Sequence, residues 1–147
     1  MDTTQSPITP EQLAGALRAQ AAGVNSLEAA VGLLIEHGTW LHHPDFRAFV
    51  TYHPDSGLAS IDWANVAHAL ARGTVLGSSN SALQVLGIAC ELAGHSLPFG
   101  QRWTLAELTA GLGRVNAALV LQAIARRMGW HVLGLTVAIN GEIGGMQ

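Results

Sequence analysis

The chain has 147 residues, 49% of them apolar and 12% charged, and a formal charge of −3. An average soluble domain carries about 25% charged residues, so this chain has roughly half the usual supply. That much apolar content excludes disorder, about 150 residues bury about 70% of their unfolded surface in one core, and the acidic balance disfavours a nucleic-acid or membrane-surface protein driven by basic residues.

Residues 1–8 read as a flexible N-terminal arm, 9–139 as a single helical domain and 140–147 as a Gly-rich tail. The arm lacks the basic start and apolar core of a signal peptide. No apolar run reaches the ~18–20 residues that cross a bilayer, which argues against membrane insertion.

Thr9-Pro10-Glu11-Gln12 opens the first helix with a hydroxyl cap, Pro at the first helical position and Gln at the third. Leu13, Leu17, Ala21 and Val24 share its face, and it stops near Gly23. Asn25-Ser26-Leu27-Glu28 starts the second, with Leu27, Val31, Leu34 and Ile35 at helical spacing and Gly38 as its stop. The short link between them predicts an antiparallel pair. A short helix beginning at Pro44 carries Phe46, Phe49 and Val50. Pro54-Asp55-Ser56-Gly57 is turn chemistry, and Val50–His53 with Leu58–Ile61 flank it as a hairpin. Asp62 caps the next helix, where Trp63, Val66, Ala67 and Leu70 share a face before Gly73.

Ser79-Asn80-Ser81 opens the most apolar segment. Leu83, Val85, Leu86, Ile88, Ala89, Cys90 and Leu92 leave it no broad polar face, and such a helix must be covered on most sides. After a loop over 95–103, Thr104-Leu105-Ala106-Glu107 is a second capping box, with Leu105, Leu108 and Leu112 at helical spacing. The last long helix runs from about Val115 to Met128, burying Leu119, Val120, Ala123, Ile124 and Met128, with Arg126 and Arg127 at its negative end. The stretch from Trp130 to Ile139 is rich in Val, Leu and Ile and reads as a strand. The fold class is therefore mainly α, a compact bundle of about six helices around a central apolar helix at 81–93, with a minor hairpin near 50–61 and a C-terminal strand at 130–139.

All basic residues are Arg, which together with abundant Ala and Gly reads as the codon bias of a GC-rich bacterial genome. A single cysteine excludes a disulfide framework and fits a reducing cytoplasm. Cys90 lies in the apolar helix, where a thiol is inert. His37, His42, His43, Asp45 and His53 carry the imidazole and carboxylate groups that a metal-dependent enzyme uses, but without a ligand motif such as His-Glu-x-x-His. Gly-Ser-Ser-Asn-Ser before the apolar helix lacks the Gly-Lys-Ser/Thr of a P-loop and is explained by capping.

Residues 104–128 have the length and turn of a helix-turn-helix. As a DNA-binding regulator the chain would use Arg102, Arg114, Asn116, Gln122, Arg126 and Arg127, although the start of the second helix is poor in donors and the acidic charge opposes phosphate binding. Trp40, Trp63, Trp103 and Trp130, with Leu133 and Leu135, are candidates for a protein interface, since Trp is enriched at interface hot spots. The shortage of charge implies more apolar surface than this length readily hides, and such patches mark interaction sites. The sequence therefore points to interaction rather than catalysis. The expected protein is a small cytoplasmic helical protein that homo-oligomerises or serves as a subunit or adaptor of a larger complex. Its partner is itself or another protein, and no cofactor is called for. The second half of the chain is where buried or partner-covered surface is expected.

Overall fold

A computed structural model gives the fold over residues 8–73, 77–95 and 104–135. Among these residues the α-helices are α1 (Pro10–Ala21), α2 (Asn25–His37), α3 (Pro44–Arg47), α4 (Trp63–Arg72), α5 (Asn80–Leu92), α6 (Leu105–Thr109) and α7 (Gly113–Arg127). One antiparallel hairpin joins β1 (Val50–His53) to β2 (Leu58–Ile61), with Val50 opposite Ile61 and Tyr52 opposite Ala59. The protein is mainly α, as the sequence predicts. Most of the arm (residues 1–7), residues 136–139 and the tail lie outside the described residues.

The helix starts follow the capping chemistry. Thr9 Oγ1 accepts from Gln12 N at 3.1 Å while Gln12 Oε1 accepts from Thr9 N at 3.0 Å. Asp62 Oδ1 accepts from Asn65 N, and Ser79 Oγ from Ala82 N, each at 3.2 Å. Such caps supply acceptors for N–H groups that a first turn leaves without partners. At α2 the sequence reading needs correction. The cap position is Val24, and instead of an Asn25 cap the carboxylate of Glu28 reaches back to Gly23 N at 2.8 Å. Gly38 stops α2 and Gly73 stops α4, both left-handed at φ 84° and 67°.

Two helices share the centre. α5 is buried along most of its length and packs against α2, α4, α6 and α7. α2 is equally central: Ala29, Ala30, Val31, Gly32, Leu33 and Leu34 are buried in an unbroken run, and it packs against α1, α5 and α7. Small residues at Ala29, Ala30 and Gly32 let neighbours approach on sides that a leucine stripe alone would leave to solvent. α1 packs on β2 as well as α2, so Ala59 and Ile61 of the hairpin face the core while most of β1 lies exposed.

The C-terminal strand is not formed where the chain is described. Trp130–Leu133 is a single 3-10 turn, bounded by Gly129 at φ 81° and Gly134 at φ 86°. Two left-handed residues so close together bend the backbone at both ends, and no extended run fits between them. α7 also begins two residues earlier than the sequence suggests, at Gly113, and Met128 is half-exposed rather than buried.

Candidate functional site

Among the described residues, an open apolar surface lies where α5, α6 and α7 meet. α6 begins with a capping box: Thr104 Oγ1 accepts from Glu107 N at 3.1 Å, and Glu107 Oε1 accepts from Thr104 N at 2.8 Å. That backbone bond, aided by the Thr104 hydroxyl, holds the Glu107 carboxyl below its ordinary value. Gln84 Nε2 of α5 donates to Glu107 O at 2.9 Å and ties α6 to α5. Gly111 and Gly113, at φ 74° and 77°, then turn the chain sharply into α7. At the far end of α7, Arg127 Nε donates to Leu92 O at 2.8 Å.

These ties leave a groove of about 530 Å³ between the three helices. Ile88 and Leu92 of α5 form one wall; Leu105, Leu108 and Leu112 form another; Ala117, Val120, Leu121 and Ile124 of α7 form the third. Leu108, Leu112 and Val120 are buried and seal the floor, whereas Leu105 is 74% exposed and Leu121 54%. Glu91, Thr109 and Arg127 supply the polar groups of the lining. Among the described residues, the groove's lining shows no acid and base paired around a nucleophile. Its lining is mainly apolar, and its volume falls within the roughly 300–1,000 Å³ of ordinary binding clefts.

The tryptophans divide sharply. Trp40 is fully buried, its Nε1 donates to Ala82 O at 3.2 Å, and its ring meets Phe46 at 5.8 Å. Trp63 is buried too, so both belong to the core, which removes them from the interface candidates. Trp130 and Leu135 are exposed near the end of α7, and Leu133 closes the 3-10 turn. Trp103 and Arg102 lie outside the described residues.

The histidine cluster does not converge. Among the described residues no three His, Cys, Asp or Glu side chains are placed to hold a metal ion. His43 Nε2 donates to Gly77 O at 2.9 Å, and its ring packs on Trp40 at 5.2 Å. A carbonyl can only accept, so Nε2 carries the proton. His37 ends α2, where burial lowers its pKa from the ordinary 6.5. His42, Asp45 and His53 are exposed. Burial first, then the neighbouring Glu91 charge, push the Cys90 thiol up to about 12, which removes it as a nucleophile.

The helix-turn-helix candidates are largely engaged within the chain. Arg126 Nη1 lies 4.0 Å from Glu28 Oε1 of α2, and Gln122 lines a crevice against Gly32 and Glu36 of the same helix. Arg127 is bonded to α5 as described. Arg114 is exposed and Asn116 half-buried near the start of α7. Sequence reading missed the groove itself. Its signal was present as three stripes at helical spacing, Ile88/Leu92, Leu105/Leu108/Leu112 and Ala117/Leu121/Ile124, but their convergence belongs to the fold.

Compared with protein-family models, curated proteins and solved structures, the chain matches none. Among the described residues no helix is long and apolar enough to cross a membrane.

Proposed function

We propose that the protein is a small interaction protein that receives an amphipathic helix of another chain in the α5–α6–α7 groove. The observation that carries this reading is the groove's construction: a sealed leucine floor beneath exposed Leu105 and Leu121, walled by three helices. A helix docks in such a channel through apolar side chains at i, i+3, i+4 and i+7. The charged Glu91 and Arg127 in the lining orient the occupant without closing the groove. A cytoplasmic setting belongs to the same proposal, on the strength of a single, deeply buried thiol.

The test is Leu121→Glu. Position 121 is more than half exposed, so the variant keeps its helical circular dichroism and its melting transition. It loses whatever assembly the wild-type chain forms, measured by light-scattering mass and by co-purification from the native host. An assembly unaffected by a charge in the groove overturns the reading.

A further inference from the structure

We draw no further inference here: the strongest candidate, the apolar groove between α5, α6 and α7, belongs to the docking site already proposed, and nothing in the structure shows what covers it.

Discussion

Residues 8–73 and residues 104–135 are built from similar helices and treat their large side chains in opposite ways. In the first region Trp40, Phe46, Leu13, Leu17, Leu33 and Leu34 are essentially sealed, and of its large apolar residues Val24 and Tyr52 are exposed. In the second, Leu105, Val115, Leu121, Met128, Trp130, Val132 and Leu135 all stand in solvent. Hydrophobicity does not separate the regions; neighbours do. α1 has β2 on one side and α2 on another, while α7 packs mainly on α2, also touches α5, and lines the groove together with α6. A helix packed mainly on one neighbour presents apolar side chains on its other side, and exposed apolar patches are where interaction is sought.

The comparison is broken most forcefully at Trp40. Trp40→Ala removes a fully buried ring and its bond to Ala82, and costs about 3–5 kcal/mol of unfolding free energy in a denaturant titration. Leu121→Glu, at a similarly central place in its own region, changes stability by no more than about 0.5 kcal/mol in the monomeric state. Equal costs at the two positions would erase the distinction drawn here. Cys90 sharpens the contrast, since it sits on the same helix as the groove wall yet is sealed. With its pKa pushed up to about 12, it reacts with a thiol reagent only on unfolding. Native labelling as fast as that of a free thiol would show that α5 opens locally.

The caps give a smaller and matched test. Thr9→Ala and Thr104→Ala each remove a capping box, at about 0.5–2 kcal/mol for a helix cap. The first lowers the global melting temperature. The second loosens α6, which carries a single buried residue, Leu108, and is read by faster hydrogen exchange there. The smallest effect is that of pH on His37. Its folded pKa lies below the ordinary 6.5, so the unfolded chain binds the proton more readily. Stability is therefore full above about pH 6.5 and declines as pH falls from there through the folded value. His37→Gln flattens that decline in urea midpoints measured across the range.

Much of this architecture was legible because it is local. A hydroxyl at Thr9 or Ser79 and a glycine at Gly38 or Gly73 act within one turn, so their effect is readable from neighbours in the chain. The Pro54–Gly57 turn fixed the hairpin in the same way. The run Trp130–Leu133 was misread because an apolar stretch without period suits strand and helix alike. Its outcome turned on the left-handed backbone of Gly129 and Gly134, and glycine permits but does not announce that conformation. The tryptophans were undecidable from sequence, since the same residue type serves core and interface. Trp40 was settled by Ala82 and Phe46, one of them 42 residues away. The site was least legible of all, because a groove is the space between helices and no single helix encodes it.

The bond from Arg127 to Leu92 O has a mechanical consequence. Leu92 is the last residue of α5, and its carbonyl is among those a helix end leaves unpaired, so a side chain of α7 completes the neighbouring helix. Toward the other end of the groove α6 is tied to α5 by the bond from Gln84 to Glu107 O. In the docking reading proposed above, bulk near Leu92 meets a gap fixed by the Arg127 bond, and tolerance to substitution in the docked helix rises toward the exposed Leu105.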